Sequence, residues 1–117
     1  MARLLIVDDD PTIRETLCRL FSERYECDTA DCAEQAIELL EIRHYDAIIT
    51  DVSMPGVGGG QILKRIEAGS LTIPVIVISA NGDQFKETFL ERGAFAYLSK
   101  PFLFEAIETA IERAVNR

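Results

Sequence analysis

Two kinds of apolar segment alternate along the chain. Leu4-Leu5-Ile6-Val7 is a short continuous run that stops at acids, Ala47-Ile48-Ile49 stops at Thr50-Asp51, and Pro74-Val75-Ile76-Val77-Ile78 stops at Ser79. Runs this short, apolar at every position and rich in β-branched residues, suit strands covered on both faces of a parallel sheet. Residues 25–30 and 95–98 are two weaker strand segments. Helical spacing fills the gaps. Ile13, Leu17, Leu20 and Phe21 share one helical face, with Asp10 as N-cap and Pro11 at the first helical position. Ala33, Ala36, Ile37 and Leu40 make a second face, and Asp31 followed by Glu34 fits a capping box. Ile62, Leu63 and Ile66 make a third, shorter one. A fourth runs through Phe85 and Phe89, with Asp83 as its cap and Gly93 as its stop. Phe104, Ile107, Ile111 and Ala114 give a fifth.

Strand followed by helix, five times over, predicts an α/β fold with a parallel sheet and right-handed crossovers. Five units are too few for an eight-stranded barrel. The compact solution is an open, doubly wound five-stranded sheet in the order 2-1-3-4-5 with five helices, one domain spanning residues 1–117. The run Gly58-Gly59-Gly60 reads as a loop within that domain.

Composition narrows the function. The chain has 117 residues, 48% of them apolar, and a formal net charge of −8. An acidic chain with no basic run is not expected to bind nucleic acid or an anionic membrane directly. No apolar run approaches the roughly 18 residues of a membrane span, and Met1-Ala2-Arg3 leads straight into the first strand without a leader pattern. Cys18, Cys27 and Cys32 are odd in number and show no C-x-x-C spacing, which suits small apolar fillers in a reducing, cytoplasmic compartment. The single histidine, His44, excludes a histidine-rich metal site.

The strand ends carry the chemistry. Asp8, Asp9 and Asp10 follow the first strand, Asp51 ends the third, Ser79 ends the fourth, and Lys100-Pro101 follow the fifth. In the 2-1-3-4-5 order these ends lie side by side, at the edge where such sheets build sites. Taken singly, Asp10 is a helix cap, Asp8 or Asp9 a solvated loop acid, Lys100 a surface ion-pair partner and Ser79 a turn residue. Asp51 resists that treatment because it closes a strand that otherwise reads as buried. Clustered carboxylates respond to mutual repulsion by a raised pKa or by holding a hard cation, and Mg2+ prefers carboxylate, carbonyl and water oxygens. Charge neutralisation and positioning are what phosphoryl transfer requires, and a carboxylate can itself be the nucleophile. Lys100 is suited to hold a phosphoryl oxygen and Ser79 to donate a hydrogen bond to another.

With these residues in place, the chain resembles the receiver domains of bacterial response regulators, the phosphoacceptor modules of two-component systems. The resemblance runs from Arg3 to about Val115. It rests on Leu5-Ile6-Val7-Asp8-Asp9-Asp10, Thr50-Asp51-Val52-Ser53-Met54-Pro55-Gly56, Val77-Ile78-Ser79-Ala80 and Gly93-Ala94-Phe95-Ala96-Tyr97-Leu98-Ser99-Lys100-Pro101-Phe102. It implies a flavodoxin-like α/β fold with Asp51 as the phosphorylated residue. It implies Mg2+ held by Asp9, by Asp8 through a water, by Asp51 and by the backbone carbonyl of Ser53. Lys100 and Ser79 would engage the phosphoryl group, and Tyr97 would change rotamer in concert and turn inward. The Lys100–Pro101 peptide would be cis. The donor would be a sensor histidine kinase or histidine phosphotransfer protein, and the recipient a downstream output domain or target protein. The output face would be the fourth helix, fifth strand and fifth helix, with Lys86, Glu87, Tyr97 and Glu105 on it. Such a chain catalyses its own phosphorylation and dephosphorylation and is not otherwise an enzyme.

The sequence also departs from the family pattern. Family members usually carry a polar residue where Gly58 stands, and three successive glycines weaken a helix start by roughly 1 kcal/mol each relative to alanine. Ser79 replaces the commoner threonine but keeps the hydroxyl. Ser53 and Asn81 occupy positions that tune dephosphorylation in the family. Two other functions are considered. A flavodoxin-type cofactor protein needs an uncharged phosphate loop after the first strand, where this chain has Asp8-Asp9-Asp10-Pro11. A pseudo-receiver would be a phosphorylation-independent interaction module on the same fold, with every key residue nonetheless present.

Overall fold

The computed structural model describes residues 1–52, 62, 64, 72–80 and 82–116. Five parallel strands, β1 (Arg3–Val7), β2 (Glu26–Ala30), β3 (Ala47–Asp51), β4 (Val75–Ser79) and β5 (Ala96–Ser99), lie in the order β2-β1-β3-β4-β5. Four helices occur among the described residues: α1 (Pro11–Phe21), α2 (Ala33–Ile42), α3 (Lys86–Glu91) and α4 (Phe104–Val115). The last two are the fourth and fifth helices expected from sequence. The expected third helix falls mostly outside the described residues, although Ile62 and Lys64 are helical and Ile62 is buried. Ser53, Gly58-Gly59-Gly60 and Asn81 also lie outside them.

Strand alternation sorts the apolar side chains into two layers. Leu4, Ile6, Ile49, Ile76 and Ile78 pack with Leu17 and Phe21 of α1 and with Ile107, Ile111 and Ala114 of α4. Leu5, Val7, Ile48, Val75 and Val77 pack with Ala33 and Ala36 of α2, with Ile62 and with Tyr97. Burying each aliphatic side chain contributes about 1.5–3 kcal/mol before ordering costs. Helices on both faces explain why the central strands are apolar at every position. Among the described residues no helix is long and apolar enough to cross a membrane.

Helix starts follow the sequence less closely. Asp10 caps α1, its carboxylate accepting from the Thr12 N–H at 2.9 Å, with Pro11 at the first position. The Asp31–Glu34 capping box does not form. The N-cap of α2 is Cys32, without a side-chain cap, and Gln35 reaches back instead to accept the Asp31 N–H at 2.8 Å. The reciprocal contact has moved one residue along, because Gln35 occupies the third helical position counted from Cys32. Asp83 does not cap α3. That helix starts behind Phe85, and the Asp83 carboxylate accepts from Ser99 Oγ at 2.5 Å. A nearby hydroxyl on β5 has taken the carboxylate from the helix end. Gly93 stops the helix as expected, at φ 102°, where a Cβ would be strained.

Candidate functional site

Register places the polar strand ends together. Val7 pairs with Thr50, Asp51 with Ile78, and Ser79 with Ser99. Asp8, Asp51 and Lys100 therefore converge where β1, β3 and β5 end. Asp8 and Asp51 are almost completely buried, and Asp9 is exposed at the rim. One carboxylate oxygen from each of Asp8, Asp9 and Asp51 lies within 4.8 Å of the others. Lys100 Nζ donates to Asp51 Oδ2 at 2.6 Å and stands 3.4 Å from Asp8 Oδ2. The Lys100–Pro101 peptide is cis, and the Lys100 N–H donates to the Ser79 carbonyl at 2.8 Å. Ser79 is fully buried at the end of β4.

Asp8 is held from three sides. The Asp10 N–H donates to its Oδ1 at 2.9 Å, its own N–H donates to the Ala30 carbonyl at 3.1 Å, and Arg14 Nη1 donates to its carbonyl at 2.8 Å. Sequence reasoning did not single out Arg14. The available signal was its place in the first turn of the helix that follows the acids. Burial raises the Asp8 carboxyl above its usual range and the Asp51 charge adds to this, against the Asp10 N–H and Lys100. Burial also works against the Lys100 ammonium. The hydrogen bond to Asp51 and the charges of Asp51 and Asp8 outweigh it and raise its pKa. Three carboxylates thus meet one ammonium, leaving an excess of negative charge on oxygen donors. That donor set fits a hard divalent cation such as Mg2+.

Tyr97 occupies the inward position. It is buried, stacked near Phe89 with ring centroids 6.2 Å apart, and its hydroxyl donates to the Gly82 carbonyl at 2.7 Å. That carbonyl belongs to the loop leaving β4, so the hydroxyl ties β5 to that loop. Lys86, Glu87 and Glu105 are exposed and Tyr97 is not, so the expected output face shows only the first three on its surface. The Ser99–Asp83 hydrogen bond, a second tie between β5 and the same loop, was also missed. Sixteen residues of sequence separate that pair, and no local pattern connects them.

The response regulator receiver domain family matches residues 4–112. The sensor histidine kinase RcsC of Escherichia coli (strain K12) is 36% identical over 116 residues, 97% of this chain and 12% of that protein. The DNA-binding transcriptional regulator NtrC of Klebsiella pneumoniae is 33% identical over 113 residues, 95% of this chain and 24% of that protein. The chain thus spans a minor part of the length of these curated relatives. Among solved structures, the Francisella response regulator 1452 receiver domain superposes with a TM-score of 0.91 at 27% identity, covering 100% of this chain and 98% of that one. The response regulator TrrA of Thermotoga maritima, solved in complex with Mg(2+)-BeF, superposes with a TM-score of 0.87 at 31% identity, covering 97% and 99%. With five parallel strands in the 2-1-3-4-5 order and an acid cluster at their carboxyl ends, the chain belongs to the response regulator receiver domain family.

Proposed function

We propose that this chain is a phosphorylation-activated signalling domain in which Asp51 accepts a phosphoryl group from the phosphohistidine of a sensor histidine kinase or phosphotransfer protein. The observation that carries the reading is the buried Asp51 carboxylate, 2.6 Å from Lys100 Nζ and beside Asp8 and Asp9. In the transfer a carboxylate oxygen of Asp51 attacks phosphorus, the bond from phosphorus to the donor imidazole breaks, and an acyl phosphate forms. Lys100 exchanges part of its contact with Asp51 for a phosphoryl oxygen, and the Ser79 hydroxyl donates to another. Asp8 and Asp9, with Asp51 and the Ser53 carbonyl, would hold Mg2+. When bound, that ion would supply the neutralisation that lets a dianionic group approach three carboxylates. The neighbour solved with Mg(2+)-BeF supports this assignment by similarity.

The output face is α3, β5 and α4, which lead away from Ser79 and Lys100, and its recipient is an output domain or target protein. The chain catalyses its own phosphorylation and dephosphorylation and acts on no other substrate. The cytoplasm is its compartment, where histidine kinases present their phosphohistidines. The test is intact-mass analysis with acetyl phosphate and Mg2+. Wild type gains one acid-stable, base-labile phosphoryl group and Asp51→Asn gains none. A wild type that takes up no phosphoryl group would leave the pseudo-receiver as the reading, and modification persisting in Asp51→Asn would move the acceptor elsewhere.

A further inference from the structure

The arginines of this chain find different partners. Arg3, Arg24 and Arg43 each meet a carboxylate, whereas the half-buried Arg14 sends Nη1 to a main-chain carbonyl, that of Asp8, at 2.8 Å. The reach follows from its place. Side chains of an α-helix tilt toward its N-terminus, so a long one in the first turn of α1 lies back over the segment that precedes the helix. The Arg14 N–H meanwhile donates to the Asp10 carbonyl at 3.0 Å. One residue thus grips the carbonyls of Asp8 and Asp10, with Asp9 between them. Two further bonds shape the same turn. The Asp8 N–H donates to the Ala30 carbonyl at 3.1 Å, and Asp8 Oδ1 accepts the Asp10 N–H at 2.9 Å. Asp9 is exposed at the rim, so the backbone on either side of it sets where its carboxylate stands.

We propose that Arg14 is a positioning residue for the cation site: its guanidinium fixes the turn that presents Asp8 and Asp9, and so sets the affinity of the site for Mg2+. This rests on the reading of Asp8, Asp9 and Asp51 as ligands of the ion. Mg2+ demands near-octahedral geometry at short distances and tolerates misplaced ligands poorly. Asp51 ends β3 and is locked in the sheet, but Asp8 and Asp9 lie on the turn beyond β1. Like charges repel, so that turn has to be held against the tendency of the carboxylates to spread. Because Nη1 binds a carbonyl, Arg14 holds the turn without occupying a carboxylate oxygen that the cation needs. Charge alone predicts an opposite effect. A cation beside an acid cluster repels Mg2+, so losing the guanidinium charge should tighten binding, whereas losing the clamp should weaken it. The sign of the change separates positioning from charge.

The experiment titrates Mg2+ into wild type, Arg14→Met and Arg14→Lys and follows amide NMR shifts around Asp9 and Asp51, with urea denaturation of the metal-free proteins alongside. Arg14→Met keeps the apolar stem and loses every donor, and Arg14→Lys keeps the charge and a donor. Arg14→Met should bind Mg2+ about tenfold more weakly, and Arg14→Lys should recover most of that loss. With acetyl phosphate, the Mg2+ concentration giving half-maximal phosphorylation of Asp51 should rise by the same factor in Arg14→Met, while the rate at saturating Mg2+ stays close to wild type. Arg14→Gln, polar but two atoms shorter, should behave as Arg14→Met does, so the result does not hang on one variant. Unchanged or tighter Mg2+ binding in Arg14→Met would overturn the inference and leave Asp51 as the acceptor. So would equal weakening in Arg14→Met and Arg14→Lys matched by equal loss of urea stability, the mark of packing alone. A wild type whose amide shifts ignore Mg2+ would overturn the metal assignment and this inference together.

Discussion

Toward the amino end of the sheet, Asp28 Oδ2 accepts the Tyr45 hydroxyl at 2.7 Å and faces the guanidinium groups of Arg43 and Arg3 at 3.5 and 3.6 Å. Arg3 also meets Glu26 at 2.8 Å, and its N–H donates to Asp46 Oδ2 at 2.8 Å. At the carboxyl end, Asp8, Asp9 and Asp51 meet Lys100. The first cluster sets two guanidinium groups against three acids, none of them buried, and fastens β1, β2 and the segment before β3 to one another. The second leaves acids in excess where two of them are buried. Electrostatic balance stabilises a fold, and imbalance in a buried place costs free energy unless a ligand relieves it. The same sheet therefore shows how a structural polar network differs from a functional one.

The largest effect should come from exchanging roles across this comparison. Asp51→Asn should abolish phosphoryl uptake, at least a hundredfold below wild type by intact mass, while the protein remains folded. Asp28→Ala should leave uptake per folded molecule unchanged and lower stability by about 1–2 kcal/mol in urea denaturation, because the buried Tyr45 hydroxyl loses its acceptor, while Arg3 keeps Glu26 and water reaches the half-exposed Arg43. If Asp28→Ala instead removed phosphorylation without unfolding, the division between the two ends would fail.

Asp8→Asn sharpens the contrast through its sign. The Asp8 carboxyl is raised above its ordinary 3.8 mainly by burial, so its ionised form opposes folding at neutral pH. Without Mg2+, Asp8→Asn should therefore raise the melting temperature by roughly 2–4 °C. The gap between variant and wild type should close as pH falls through the raised pKa toward 3.8, where the wild-type carboxyl becomes protonated in both states. Millimolar Mg2+ should stabilise wild type, as any native-state ligand must, and stabilise the variant less. Equal stabilisation of both proteins by Mg2+ would remove Asp8 from the metal site.

These comparisons also explain what the sequence could reveal. Strands such as Val75–Ser79 and the face of α1 are legible because each apolar layer repeats with the local period of its element. Asp8, Asp51 and Lys100 are legible because each ends a recognisable strand, and the strand order then brings them together. The Asp28–Tyr45 bond is not legible. Its partners are 17 residues apart, and which hydroxyl meets which acid depends on how the chain leaving α2 crosses β2. The caps of α2 and α3 fail for a related reason. Several acids and amides compete for each helix start, and tertiary neighbours such as Ser99 decide the winner. The inward Tyr97 depends on where the Gly82 carbonyl points, which no side-chain pattern encodes.

The smallest predicted effect concerns that tyrosine. Tyr97→Phe keeps the ring against Phe89 and the apolar layer and removes only the hydroxyl that donates to Gly82. A net hydrogen bond contributes about 1 kcal/mol. Gly82 is only half-buried, so water can take over its carbonyl, and the loss of stability should be below about 1 kcal/mol. The effect on switching should be easier to read. If the hydroxyl ties β5 to the loop after Ser79 before any phosphoryl group arrives, β5 and the loop already occupy part of the conformation that phosphorylation selects. Beryllofluoride with Mg2+ should then perturb amide shifts near Asp51 equally in wild type and Tyr97→Phe, while the changes across residues 79–105 differ between them. In Ser79→Ala the distant changes should shrink with the local ones intact, because the new charge-assisted bond is missing at its origin. Matching patterns in wild type and Tyr97→Phe would show that the Tyr97–Gly82 bond packs the loop without biasing the switch.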